Sequence, residues 1–284
     1  MYKVLIVGAG PVGVALAANL SFIGIKVSLL SRVGFVQNEK KYTQFGKDWS
    51  YPLQNNQLGS WDLCFVCTKA YDLESAFLSH IDHLKMIDRI ILFTNGYTIA
   101  LAEKLTRLLR PEQTIEFGVT DMGVSLEDGI YTSKSRKGLF SWSSARELPV
   151  EKYILSSNKF KIESNPSKIM FSKWVKNVVI NSLAAAHNFR ENGLINTKSR
   201  EFNECYEEAY TLAVMLFGEE ICSKSDLYNE ILDLIEATSK NFNSMAYDRL
   251  QGRKTESSFL AGLANEYDGF PTLKNLHRKI CRLP

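Results

Sequence analysis

The chain has 284 residues, 45% of them hydrophobic and 23% charged, with a formal net charge of +3. That length fits one large domain or, better, two domains of ordinary size, and either way a full core forms without staples. The mild positive balance, with no long Lys/Arg run, gives no case for nucleic acid and suits a small anionic substrate or a phosphate-bearing cofactor.

Residues 2–7 (YKVLIV) read as a buried strand, 11–23 (PVGVALAANLSFI) as a helix stopped by Gly24, and 26–31 (KVSLLS) as a second strand. The uncharged stretch 4–25 has the look of a signal peptide or membrane span. Its spaced glycines, proline and asparagine, and its division into a β-rich and an Ala/Leu-rich half, instead predict a soluble βα unit with no membrane role. A polar connection runs to about Gly59, followed by a strand at 61–68, a helix at 70–82, a strand at 89–96, a helix at 98–109 and a strand at 114–124. Alternation of this kind predicts a parallel α/β sheet. Residues 125–163 read as strand and turn. From Pro166 onward the segments 167–189, 200–217, 226–250, 255–267 and 272–282 all read as helical. The expected division is therefore an α/β domain at 1–165 and an all-α domain at 166–284.

The five cysteines are Cys64, Cys67, Cys205, Cys222 and Cys281. Cys64 and Cys67 lie three apart on a predicted strand, so their side chains point to opposite faces and do not chelate a metal. Free thiols fit a reducing, cytoplasmic compartment. His80, His83, His187 and His277 are read as structural or surface groups.

Gly8, Gly10 and Gly13 form G-x-G-x-x-G between the first strand and the first helix. The first glycine allows the turn, the second admits a pyrophosphate, and the third lets helix and strand pack closely. The whole turn, Gly8, Ala9, Gly10, Pro11, Val12 and Gly13, is the expected dinucleotide cradle at a helix N-terminus. The second strand ends in Ser31 and Arg32, with no acid where NAD sites carry one; an arginine there favours the 2′-phosphate of NADP.

In the helical half, Lys173, Asn177 and Asn181 recur every four residues, one face of a helix, among Phe171, Trp174, Val178, Val179 and Leu183. A second polar cluster, NSMAYDRLQGRKTE, holds Asn241 and Ser244 one turn apart and Glu256 after a Gly-containing bend. Each of these admits a plain reading as a solvated stripe, a cap or a surface group.

Taken together, VGAGPVG, LLSR, CTKAYD, FTNG, GVTDMG, the Lys173/Asn177/Asn181 spacing and NSM…D…GRKTE resemble the ketopantoate reductase (2-dehydropantoate 2-reductase) family over nearly the whole chain. The resemblance implies a Rossmann domain followed by an all-helical domain like the C-terminal domain of 6-phosphogluconate dehydrogenase, with the active site in a cleft between them. It implies NADPH-dependent reduction of 2-ketopantoate to pantoate on the route to pantothenate and coenzyme A. Lys173 is then the general acid and Glu256 the carboxylate that holds the substrate hydroxyl. Asn177, Asn181, Asn241 and Ser244 orient substrate, and Lys69 and Asn95 belong to the cofactor-facing rim. Lys176 is the rival to Lys173, but only Lys173 has Asn at both the fourth and eighth following positions. The chain departs from the family pattern at Phe171, Ser258, Ala261 and a shortened 263–271 segment. These border the substrate side, so another 2-keto acid stays open as substrate, as does a non-catalytic NADP-binding regulator. Monomer and homodimer are both compatible with the sequence.

Overall fold

Strand β1 (Lys3–Val7) is an unbroken apolar run after Lys3, as a strand covered on both faces requires. In the computed structural model it is an interior strand of an eight-stranded sheet. The structure describes residues 1–36, 40–44, 47–51, 60–133, 138–144, 148–163, 165–218 and 221–282. The chain divides into two units, Met1–Thr94 with Thr98–Pro166, and Asn95–Tyr97 with Ser167–Pro284.

In the first unit β1 is followed by α1 (Pro11–Phe22), β2 (Lys26–Ser31), β3 (Gly34–Phe35), β4 (Lys40–Gln44), β5 (Lys47–Tyr51) and β6 (Leu63–Val66). Next come α2 (Leu73–Ser79), α3 (Ile81–Leu84), β7 (Arg89–Leu92), α4 (Ile99–Thr106) and β8 (Thr114–Thr120). The unit ends with β9 (Val124–Glu127), β10 (Ile130–Ser133), β11 (Phe140–Ser143), α5 (Pro149–Ile154) and β12 (Phe160–Glu163). The large sheet runs β12-β11-β8-β7-β6-β1-β2-β3. Strands β2, β1, β6, β7 and β8 pair in parallel, with Val4 lying between Val27 and Leu63. The chain leaves β1 in one direction to β2 and later returns on its other side as β6. That reversal of winding is a topological switch point, and ligands bind outside the strand carboxyl ends at such points.

The uncharged stretch 4–25 is thus strand, turn and helix, and no described helix is long and apolar enough to cross a membrane. Apolar side chains on the two faces of the sheet build two separate cores. Cys64 belongs to one and Cys67 to the other, as the two-residue period of a strand dictates.

Three readings of the first unit are corrected. The polar connection after β3 contains β4 and β5, which join β10 and β9 in a second sheet of order β5-β4-β10-β9; residues 37–39, 45–46 and 52–59 of it lie outside the described residues. Tyr42 and Gln44 alternate inward along β4, a period-two signal masked by polar neighbours. The strand expected over 114–124 is two, β8 and β9. The helix expected over 70–82 is a 3-10 turn (Ala70–Asp72) and two short helices that break at His80 (φ −123°, ψ 18°). Just before the break, the Ser79 hydroxyl donates back to the Ser75 carbonyl (2.7 Å), a bond that competes with regular helix.

The second unit is helical: α6 (Pro166–Ala186), a 3-10 segment (Asn192–Lys198), α7 (Ser199–Phe217), α8 (Lys224–Ala237), α9 (Ser244–Leu250) and α10 (Pro271–Cys281). A single core gathers Phe171, Trp174, Val178 and Leu183 of α6 with residues of all the other helices. The expected helix 226–250 is two, α8 and α9, because Asn243 caps a new helix start and the Thr238 hydroxyl turns back to the Leu234 carbonyl (2.6 Å). The expected helix 255–267 is instead two 3-10 turns, Ser257–Phe259 and Ala261–Glu266. Between them Leu260 is buried and non-helical, and the Phe259 carbonyl accepts from the Tyr97 amide (2.9 Å) and the Trp174 indole (3.1 Å).

Candidate functional site

At the carboxyl end of β1 the backbone turns at Gly8 with φ +110°, a conformation glycine adopts at little cost. A side chain there would also place its Cβ 2.5 Å from the Cys67 carbonyl oxygen, and one at Gly13 would sit 1.9 Å from the Gly8 carbonyl oxygen. Between them Gly10 faces open space, and Pro11 starts α1 with no side-chain cap on its first turn. Helix N–H groups left without intrahelical partners, beside an open approach, form the arrangement that receives a phosphate. Ala9 and Val12 are half-buried beside it, and the Ala9 carbonyl accepts from the Tyr131 hydroxyl (3.3 Å). Tyr131 of β10 thus supports the turn from 122 residues away in sequence, with no signal that sequence reasoning could read. Thr68, next to β6, was likewise missed; its buried hydroxyl has no hydrogen-bond partner among the described residues and its methyl lies against Gly8.

Ser31 ends β2 and donates its hydroxyl to the Gly34 carbonyl (2.9 Å). Arg32 follows with its side chain 82% exposed and its guanidinium bonded to the Asp72 carboxylate. An ion pair this exposed is worth about 0–1 kcal/mol, so a doubly charged phosphate can displace Asp72. Lys69, at the carboxyl side of β6, is half-buried in extended backbone before the turn Ala70–Asp72. The thiols of Cys64 and Cys67 are buried, and burial pushes both well above the usual range, so neither supplies a thiolate. Among the described residues no group of His, Cys, Asp and Glu could hold a metal ion.

The second unit carries its own cluster. Lys173, Asn177 and Asn181 lie half-buried along one stripe of α6, while Trp174, Val175, Val178 and Val179 face the core. Glu256 is 4% exposed. Asn95, expected on the cofactor rim, lies within this unit and joins the two: its Nδ2 donates to Glu256 Oε2 and its Oδ1 accepts from Asn177 Nδ2, each at 3.3 Å. The Asn95 NH₂ faces the Glu256 carboxyl oxygen, which leaves the Asn95 oxygen for Asn177. Lys176, the rival lysine, pairs instead with Glu230 of α8 at 2.7 Å.

Asn241 and Ser244 are exposed. The loop bearing Asn241 is held by backbone bonds from Asn192 to the Asn241 carbonyl (3.1 Å) and from Gly193 to the Ser239 carbonyl (2.9 Å). Between Asn241 and Ser244 sits Asn243, which sequence reasoning passed over. It is nearly buried and donates from Nδ2 to Asn181 Oδ1 (2.7 Å). Asparagine directly before a helical run is a cap signal that could have singled it out. Two histidines have partners of their own: a His187 ring nitrogen lies 2.6 Å from Glu201, and one of His277 lies 2.7 Å from the Ser257 hydroxyl. Burial lowers the pKa of His277.

Two family models cover most of the sequence: ketopantoate reductase PanE/ApbA over residues 4–145 and its C-terminal domain over residues 165–266. The chain belongs to the ketopantoate reductase family. Among its relatives is the 2-dehydropantoate 2-reductase of Listeria monocytogenes, 23% identical over 98% of this chain and 95% of the relative. A PanE/ApbA family ketopantoate reductase from Ralstonia eutropha shares the fold at a TM-score of 0.80, with 20% identity over 98% of this chain and 97% of the other. A D-mandelate dehydrogenase solved with NADH and anilino(oxo)acetate shares it at 0.79, with 18% identity over 98% and 97% of the two chains. The ketopantoate reductase fold therefore accounts for both units, an α/β Rossmann unit and a helical unit.

Proposed function

We propose that this protein is a cytoplasmic, NADPH-dependent reductase of 2-ketopantoate (2-dehydropantoate), giving (R)-pantoate for pantothenate and coenzyme A synthesis. The observation that carries this reading is the Asn177–Asn95–Glu256 chain on the Lys173 stripe of α6. A pure nucleotide sensor needs only the first unit and has no use for a buried carboxylate linked through Asn95 to Asn177 in the second.

The residues present fit a dinucleotide. The turn from Gly8 to Gly13 would take the pyrophosphate on the first amides of α1, with Arg32 on the 2′-phosphate and Lys69 nearby. When bound, the nicotinamide supplies the hydride that attacks the C2 carbonyl carbon. Lys173 donates its Nζ proton to the C2 oxygen as that bond forms, and the neutral amine recovers a proton from solvent. Glu256 accepts a hydrogen bond from the substrate hydroxyl. Asn177, Asn181, Asn241 and Ser244 orient the carboxylate and carbonyl, and Asn95 holds Asn177 and Glu256 in register.

An NADPH-oxidation assay over a panel of 2-keto acids tests the substrate. Ketopantoate is expected to give the highest kcat/KM. Its deoxy analogue, 2-keto-3,3-dimethylbutanoate, is expected to lose about 10- to 100-fold, because the Glu256 carboxylate loses a hydrogen-bond donor in a buried setting. A deoxy analogue that reacts as well as ketopantoate would move the assignment to another 2-keto acid, the reading that the departures at Ser258 and Ala261 favour.

Cofactor choice is tested by titration. NADPH is expected to bind at least about tenfold tighter than NADH, a gap of about 1.4 kcal/mol. Arg32→Ala weakens NADPH and leaves NADH nearly unchanged. Asp72→Asn strengthens NADPH a few-fold by removing the carboxylate that competes for the guanidinium. Equal affinities in the wild-type protein would remove the role given to Arg32.

A further inference from the structure

The Asn243 side chain is held at both ends. Its Oδ1 accepts from the backbone amides of Met245 (2.9 Å) and Ala246 (3.3 Å) at the start of α9. Backbone N–H groups can only donate, so the oxygen must occupy that position, and the Asn243 NH₂ must point the other way. There it meets Asn181 at 2.7 Å. An NH₂ cannot face an NH₂, so Asn181 is obliged to present Oδ1 to Asn243 and to turn its own Nδ2 outward. A free asparagine amide flips between two orientations of nearly equal shape; this one has a single satisfied choice.

We infer that Asn243 is a positioning residue: through a relay that begins at the α9 backbone, it locks the amide of Asn181 as a hydrogen-bond donor toward an anionic 2-keto acid. This rests on the reductase reading and deepens it. Glu256 and Asn95 fix the amide of Asn177 by the same logic of forced polarity, there starting from a carboxylate. The α6 stripe thus has its donors and acceptors assigned before substrate arrives, so no amide reorientation is needed on binding. A wrongly turned Asn181 would set its carbonyl oxygen against the substrate carboxylate.

A double-mutant cycle tests the relay. Asn243→Ser keeps a good cap acceptor for α9 and removes the NH₂, so the fold is retained. Asn243→Ser is expected to raise KM for the keto acid about tenfold, with kcat changed less than about threefold and NADPH affinity unaltered. Asn181→Ala is expected to raise KM at least as much. In the Asn181→Ala background, adding Asn243→Ser is expected to change KM no further, since the group it acts through is gone. Independent, multiplying losses would overturn the relay while leaving the reductase intact. So would an Asn243→Ser enzyme with wild-type KM. A wild-type protein that reduces no 2-keto acid would defeat the functional reading and the relay with it.

Discussion

Lys173→Ala is expected to lower kcat by roughly 10²–10⁴, the range that a positioned general acid contributes. It should also remove the basic limb of the kcat–pH profile, because that limb reports loss of the acid's proton. NADPH affinity should survive, since the Gly8–Gly13 turn and Arg32 belong to the other unit. Lys176→Ala supplies the control. Its partner is Glu230, itself 56% exposed, so the pair contributes at most about 1 kcal/mol and activity should stay within a few-fold. Comparable loss in both variants would point to a damaged α6. Strong loss in Lys176→Ala with a healthy Lys173→Ala would reassign the acid to the other lysine.

Arg89→Met is expected to cost about 3–5 kcal/mol of stability, the usual result of removing one partner of a buried ion pair. Arg89 begins β7 and is 6% exposed. Its Nη1 donates to Glu151 Oε2 and Ser144 Oγ, each at 2.6 Å, and its Nε lies 3.4 Å from Glu116 Oε1. Glu151 is 0% exposed and also accepts from the Trp142 indole (2.8 Å) and the Leu148 amide (2.6 Å). One guanidinium therefore ties β7 to β8, to the end of β11 and to α5. Denaturant unfolding checks the loss. The double variant Arg89→Met/Glu151→Gln should be less destabilised than Arg89→Met alone, because the amide keeps an acceptor for Trp142 and leaves one fewer buried charge unpaired. A loss below about 1 kcal/mol in Arg89→Met would show that the ion pair is not a structural tie.

Both units were legible wherever their signals are local. A βα turn with glycines at fixed spacing, a strand ending in Ser31 and Arg32, and a four-residue period over Lys173, Asn177 and Asn181 are each written within one or two turns of chain. The strands β4 and β5 were not legible, because they pair in a small sheet whose inward positions include Gln44 and whose partners β9 and β10 lie about 80 residues on. The break between α8 and α9 was half visible: Asn243 before SMAYDRL is a cap signal, overridden in the reading by a continuous helical pattern.

By itself the sequence determined the family, the glycine-rich turn and the helix face that bears Lys173, because each depends on short-range spacing that any chain with these residues must express. Only the tertiary structure decided which groups meet. Asn95 joins Glu256 and Asn177, Asn243 reaches Asn181, and Asp72 takes Arg32, over separations of 40 to 161 residues. A side-chain amide carries a donor and an acceptor on one planar group, and which of the two it offers a ligand is set by its other neighbour. That neighbour is supplied by the fold, so the chemistry of the site, as distinct from its membership, is a tertiary property.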